Sequence, residues 1–348
     1  MLGGPRLWEN RVITVDFAAP DEIGPNADPS ATSPSAGAAT VRVLAKIVES
    51  DGVVTLTLAA PDASRLPDWT PGSHVDLLLP NGVTRQYSLC GDRWDAHTYR
   101  VGVLREPHSR GGSAYVHDEL VVGDLIGLGG PRNNFHLVPA THYLFVAGGI
   151  GITPILPMLR QAEVMGADWQ LLYGGRTRES MAFLPELAEF GDRVLVAPQD
   201  ECGLLDLAGF LGDAREGVRV FCCGPAPLLA AIEEATTGWP AHSVRTERFV
   251  PTESGAPVRA TAFDVELART GTVVTVPPHR SVLDAVHDAG VEVLSSCREG
   301  TCGTCETGVL AGEPDHRDSI LEDDERDAGD CMFICVSRSC GDRLVLDL

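Results

Sequence analysis

The run Cys297-Arg298-Glu299-Gly300-Thr301-Cys302-Gly303-Thr304-Cys305 sets three thiols close together, and another cysteine, Cys335, follows in the apolar segment MFICVS. A C-x4-C-x2-C…C spacing suits a [2Fe–2S] cluster, in which three thiolates come from one tight loop and a fourth from a distant segment closes the cage. Gly300 and Gly303 permit positive φ angles and close backbone approach, so that amide N–H groups can point at the sulfurs. Two other uses of the cysteines are weaker. Ten cysteines would allow disulfides, but no basic-then-apolar secretory signal opens the chain, and intracellular thiols are kept reduced. Zinc has no use for the ligand five residues earlier, and no second CxxC completes a ribbon. The fourth cluster ligand is open on spacing alone, because Cys331, Cys335 and Cys340 all lie nearby. Cys331 and Cys335 are expected to share a face of one strand.

At 348 residues the chain exceeds one small iron–sulfur module, and its length predicts two or three domains. Its 49 Asp and Glu against 27 Lys and Arg argue against binding nucleic acid or an anionic membrane, and favour a basic partner surface or plain solubility. No apolar run approaches the ~18 residues of a membrane span, and no lipidation signal is visible. A soluble, cytoplasmic protein is expected.

Residues 1–40 read as an N-terminal extension or linker, since PDEIGPNADPSATSPSAGAAT has almost no large apolar side chain. Residues 41–139 carry short alternating runs (VRVLAKIVES, VVTLTLA, HVDLLLP, TRQYSLCG, TYRVGVLRE, DLIGLGGP), which predict a small closed β-barrel. Over 140–250 the rhythm becomes strand–helix–strand, predicting a doubly wound parallel sheet. A linker at 251–260 leads to 261–348, with a hairpin in FDVELARTGTVVTVPP, a helix in SVLDAVHDAG ending on Gly290, the cysteine loop and the closing strand RLVLDL. The fold class is therefore multidomain α/β and β.

Each module carries its own motif. In Arg85-Gln86-Tyr87-Ser88, Ser88 can partner a flavin N5, Tyr87 offers a flat ring and Arg85 a cation for a phosphate. Arg110-Gly111-Gly112-Ser113 predicts an anion-binding nest with Ser113 as helix N-cap and Arg110 adding charge. Gly148-Gly149-Ile150-Gly151-Ile152-Thr153-Pro154 sits between a strand and a helix, where Gly149 and Gly151 allow backbone approach to a pyrophosphate and Thr153 can donate a hydroxyl. Cys223-Gly224-Pro225 ends another strand of that sheet, with Cys223 and Gly224 facing a nicotinamide ring and Cys222 turned the other way. Arg176 and Arg178 follow the second strand, where an adenosine 2′-phosphate could sit or where two solvated arginines could simply end a strand.

Taken in order, RQYSLCGD, SRGGS, FVAGGIGITP, FCCGP, RTERF, SSCREGTCGTC and CVSR resemble the phthalate dioxygenase reductase family, from about Val41 to Leu348. The resemblance implies a flavin-binding barrel holding FMN, an α/β domain taking NADH, and a C-terminal β-grasp ferredoxin domain of the plant type whose cluster is held by Cys297, Cys302, Cys305 and Cys335. It also implies that Phe249 covers the flavin ring where nicotinamide enters, with Glu247 close by. NADPH stays open through Arg176 and Arg178, and the N-terminal extension is not part of the family pattern. The implied activity is hydride transfer from NADH to the flavin and one-electron delivery through the cluster to a terminal oxygenase, Rieske-type or a cytochrome P450. No general acid or base is needed. Monomer is the default state. A reading of a different class is a redox or nucleotide sensor with little turnover. The acidic stretch Glu322-Asp323-Asp324-Glu325 is either a docking patch or a solvated helix start.

Overall fold

The computed structural model describes residues 39–107, 111–252 and 255–348. The chain divides into two units, 1–33 and 34–348, and every described residue belongs to the second.

Alternation of apolar and polar residues makes the first sheet. Strands β1 (Ala39–Ser50), β2 (Val53–Ala59), β3 (Ser73–Leu78), β4 (Thr84–Ser88), β5 (Thr98–Leu104) and β6 (Leu125–Asn133) pair in the order β4-β3-β6-β1-β2-β5. A bridge between Leu89 and Val101 joins the end of β4 to β5, which closes the sheet into the expected barrel. Val41, Val43, Leu56, Leu58, Val75, Leu77, Val101 and Val103 fill its interior, every second residue of each strand. Helix α1 (Gly112–Asp118) plugs one end through Val116. His74 and Asp76 break the pattern: they alternate with the core residues Val75 and Leu77, yet both are buried.

The second sheet is parallel throughout. β7 (His142–Gly148), β8 (Asp168–Gly175), β9 (Val194–Pro198), β10 (Val218–Cys223) and β11 (Val244–Glu247) lie in the order β11-β10-β7-β8-β9. Strand order therefore reverses between β7 and β10, which puts the topological switch point, the usual ligand crevice of such sheets, at their carboxyl ends. Helices α2 (Ile152–Met165), α3 (Leu184–Leu187), α4 (Gln199–Cys202), α5 (Leu207–Leu211) and α6 (Ala226–Ala235) connect the strands. One face of the sheet packs on α2 through Phe145, Leu171 and Phe221; the other packs on α5 and α6 through Leu144, Val220 and Cys222. Barrel and sheet meet where Arg100 Nη1 pairs with Glu186 at 2.6 Å.

The third sheet orders β13 (Thr272–Val276), β12 (Phe263–Leu267), β18 (Arg343–Leu346), β14 (Glu306–Ala311) and β16 (Cys331–Phe333), with β15 (Pro314–Asp315) and β17 (Arg338–Ser339) as a separate short pair. The last strand of the chain is central, parallel to β12 and antiparallel to β14. Helix α7 (Val282–Asp288) starts where the Ser281 hydroxyl accepts the Asp284 N–H, and it buries Val282, Leu283 and Val286 against this sheet. Helix α8 (Asp323–Ala328) precedes β16. Cys331 and Cys335 do not share a strand as expected. β16 ends at Phe333, because Ile334 gives its carbonyl to Leu283 N–H and the chain turns there, leaving Cys335 beyond the strand. Among the described residues no helix is long and apolar enough to cross a membrane.

Candidate active site

The cysteine loop folds around its own sulfurs. Cys302, Cys305 and Cys335 are buried and Cys297 is half-buried. All four are free thiols; those of Cys302 and Cys335 lie close enough to act on the Cys297 sulfur, and Cys335 likewise on Cys305, so the four sulfurs form one group. Arg298, Gly300 and Gly303 all have positive φ (58°, 71° and 76°). That curl turns the Glu299 and Thr301 amides onto Cys297 Sγ at 3.3 and 3.5 Å. Hydrogen bonds from the Cys302 and Cys335 thiols, then from those two amides, hold the Cys297 thiol well below the usual range. Cys335 moves the opposite way under Cys297 and Cys305. Four sulfurs competing to ionise, with amides already aimed at one of them, fit a [2Fe–2S] cluster, which takes all four as thiolates. Cys331 and Cys340 stand outside the group, and burial followed by nearby carboxylates pushes both thiols up.

On β4 the alternation of side chains sends Arg85 and Tyr87 to one face and Gln86 and Ser88 to the other. Tyr87 packs on the barrel core, and burial pushes its hydroxyl up to about 12, so the ring stays neutral. Arg85 lies across the start of α1: a Cβ on Gly112 would stand 2.6 Å from Arg85 Cγ and 2.9 Å from Nε. Only glycine leaves that cradle open, and a cation at a helix start fits a flavin phosphate. Ser113 is not the N-cap. Gly111 takes that place in the left-handed conformation at φ 89°, so the helix starts earlier and the Ser113 hydroxyl accepts the Glu106 N–H at 3.1 Å. Arg110 lies outside the described residues. Ser88 is buried at the end of β4.

At the switch point the two strand-to-helix turns touch. A Cβ on Gly151 would stand 2.2 Å from the Cys223 carbonyl oxygen, and one on Gly224 would stand 3.0 Å from Gly148 Cα. Gly151 and Gly224 thus let the turns after β7 and β10 pack on each other, whereas Gly149 serves the turn itself through its φ of 54°. Thr153 is not offered to a phosphate: it is buried, its hydroxyl donates to Ile150 O at 2.9 Å, and its methyl packs on Gly102 of the barrel. Pro225 caps α6. Cys222 and Cys223 do point into opposite cores. Cys223 pairs in register with Glu247, and Cys223 Sγ is 3.8 Å from Glu247 Oε2. Burial pushes the Glu247 carboxyl up to about 8. Phe249, just past β11, is 42 % exposed. Arg178 is held by Glu201 through two bonds of 3.1 and 2.9 Å. Glu322 caps α8 and exchanges bonds with Glu325, the helix-start arrangement, while also standing 3.3 Å from His242 Nδ1.

Sequence reasoning missed the barrel face that meets the cysteine loop. The Gln86 side-chain nitrogen donates to Ser296 Oγ and to Asp76 Oδ1, each at 2.6 Å, and Asp76 Oδ2 accepts from Arg132 at 2.6 Å. His74 lies close to the Cys302 backbone, and the Asn134 side chain would stand 2.8 Å from a Cβ on Gly303. Burial, then Arg132, pushes the His74 ring down to about 4. Polar residues alternating on a barrel strand ordinarily face water, so nothing in the pattern marked this face as covered.

Residues 265–340 match the 2Fe-2S iron-sulfur cluster binding domain family. Over 310 residues the chain is 46 % identical to the phenoxybenzoate dioxygenase subunit beta of Ectopseudomonas oleovorans, covering 88 % of this chain and 97 % of that one. It superposes on a crystal structure of an intact type IV self-sufficient cytochrome P450 monooxygenase with TM-score 0.85 and 44 % identity over 89 % of its length, while spanning only 41 % of that longer chain. With a structure of phthalate dioxygenase reductase, described as modular for electron transfer from pyridine nucleotides to [2Fe-2S], the TM-score is 0.66 and the identity 36 %, covering 90 % of this chain and 98 % of that one. On this similarity over nine-tenths of its length, the chain belongs to the phthalate dioxygenase reductase family, the flavin and iron–sulfur reductase components of oxygenase systems.

Proposed function

We propose that this reductase takes a hydride from NADH onto FMN and delivers single electrons through a [2Fe–2S] cluster to a terminal oxygenase of the Rieske type. The observation that carries the reading is the convergence of Cys297, Cys302, Cys305 and Cys335 beside the strand that bears Arg85, Tyr87 and Ser88. A flavin accepts a hydride and releases its electrons one at a time, which is the conversion a nicotinamide donor and a one-electron cluster require. The chain supplies position and electrostatics. Arg85, with Gly111 and Gly112 and with Arg110 and Ser113 in the same segment, would hold the flavin phosphate, and Tyr87 and Ser88 would contact the ring system. Gly149, Gly151 and Thr153 shape the pyrophosphate turn. Cys223, Gly224 and Pro225 shape the nicotinamide subsite with Glu247, and Phe249 covers the flavin until nicotinamide displaces it. The ion pair of Arg178 with Glu201 supports NADH over NADPH, since it occupies a cation that a 2′-phosphate would need. Turnover, rather than sensing, is the role, carried by a monomer in the cytoplasm.

Flavin released from the holoprotein should co-migrate with FMN, and kcat/KM should favour NADH over NADPH; release of FAD or a preference for NADPH contradicts this assignment. The self-sufficient P450 match favours a cytochrome P450 as the second acceptor. Purified acceptors of both classes, each tested for NADH-dependent reduction by this chain, separate the two.

A further inference from the structure

From the contacts between the barrel and the cysteine loop, we infer that Gln86 is a positioning residue that clamps the cluster loop to the flavin strand and thereby governs electron passage from flavin to cluster; this rests on the carrier order proposed above. Gln86 stands on β4 between Arg85 and Tyr87, but strand alternation turns it to the face shared by Ser88. There it reaches Ser296, the residue immediately before Cys297. One strand thus carries the flavin-side groups on both faces and a side chain that bonds the start of the cluster loop.

The chemistry of the neighbours fixes which way the amide points. Asp76 is an acceptor only, so it takes an N–H of the Gln86 amide and not its oxygen. The remaining N–H is then directed at Ser296 Oγ. Asp76 is itself paired with Arg132 at 2.6 Å, in a site where its side chain is 7 % exposed. Gly129, opposite Asp76 on β6, makes room: a Cβ there would stand 2.9 Å from Asp76 Oδ2. Arg132, Asp76, Gln86 and Ser296 therefore form a chain of bonds with one orientation, anchored in the barrel and ending at a cluster ligand's neighbour. His74 and Asn134 also touch the loop, but they meet it at Cys302 and Gly303, past its first ligand.

In each passage one electron leaves the reduced flavin and one ferric ion of the cluster becomes ferrous, so a hydride from NADH supports two passages. A hydrogen bond that favours the seated loop is worth about fivefold in population. Holoprotein carrying Gln86→Leu should reduce its flavin with NADH and turn over ferricyanide at the wild-type rate, while the flavin-to-cluster rate constant falls about fivefold. Ser296→Ala should show the same loss, Ser296→Thr should restore it, and the double variant Gln86→Leu/Ser296→Ala should be no slower than either single one. Amides of residues 296–305 should exchange with deuterium faster in Gln86→Leu. An unchanged flavin-to-cluster rate in both single variants, losses that multiply in the double variant, or equal loss in Ser296→Thr and Ser296→Ala would each overturn the clamp. Loss of flavin reduction in wild-type protein would instead overturn the carrier order, so the two failures are distinct.

Discussion

Among single residues, Glu247 is the most displaced carboxyl at the switch point. It ends β11 beside Cys223, with Sγ to Oε2 at 3.8 Å, and burial raises it from an ordinary 4.5 to about 8. The fold therefore prefers the neutral acid. Its stabilising contribution is complete below pH 4.5 and is lost as pH rises through about 8, because the native state binds the proton more tightly than the unfolded chain. Across that window the slope tends toward about 1.4 kcal/mol per pH unit. Urea unfolding of the holoprotein should show stability declining between those limits, and Glu247→Gln should flatten the decline. An equal slope in the variant would show that another group titrates. Cys297, Cys302 and Cys305 could be read from spacing as cluster ligands because three thiols in one short loop serve few purposes, whereas spacing left the fourth ligand open. The environment of Glu247 could not, since RTERF gives no sign that its acid is buried.

Elements follow their periodicity closely, and the departures occur where one backbone atom decides. All six barrel strands and all five strands of the parallel sheet form where alternation and apolar runs predicted them. The start of α1 shifted because Gly111 adopts a left-handed conformation that no residue pattern announces. In the GGIG turn Gly151 is also required by the neighbouring turn: its missing Cβ is the space taken by Cys223 O. Gly151→Ala should therefore cost about 3 kcal/mol of stability through overpacking against backbone that cannot rotate away. Thermal unfolding measures that loss. Gly149→Ala, where a Cβ would meet open space, is the control, and its smaller cost comes from the positive φ alone. Equal losses at the two positions would contradict a packing role for Gly151. The short β16 belongs to the same lesson, since Leu283 and Ile334 set its end through a contact between distant segments.

At the scale of the whole molecule, the barrel comes first along the chain, the parallel sheet second and the cysteine loop last. The motifs made each module legible, because flavin, nicotinamide and cluster chemistry each demand a local arrangement of a few residues. How the modules seat on one another was not legible: His74, Asp76, Gln86 and Asn134 look like ordinary outward barrel residues, and the burial of His74 and Asp76 and the contacts of Gln86 and Asn134 with the cysteine loop depend on a surface some two hundred residues away in the chain. The acidic excess of 49 against 27 suits encounter with a basic acceptor and predicts rates of acceptor reduction that fall with ionic strength. The most direct measurement is anaerobic rapid mixing of the holoprotein with NADH, following flavin absorbance and the electron paramagnetic resonance of the cluster in freeze-quenched samples. Flavin should bleach first and the cluster signal should follow, while Cys302→Ser should bleach its flavin and give no such signal. Reduction of the cluster ahead of the flavin, or in protein stripped of flavin, would contradict the account.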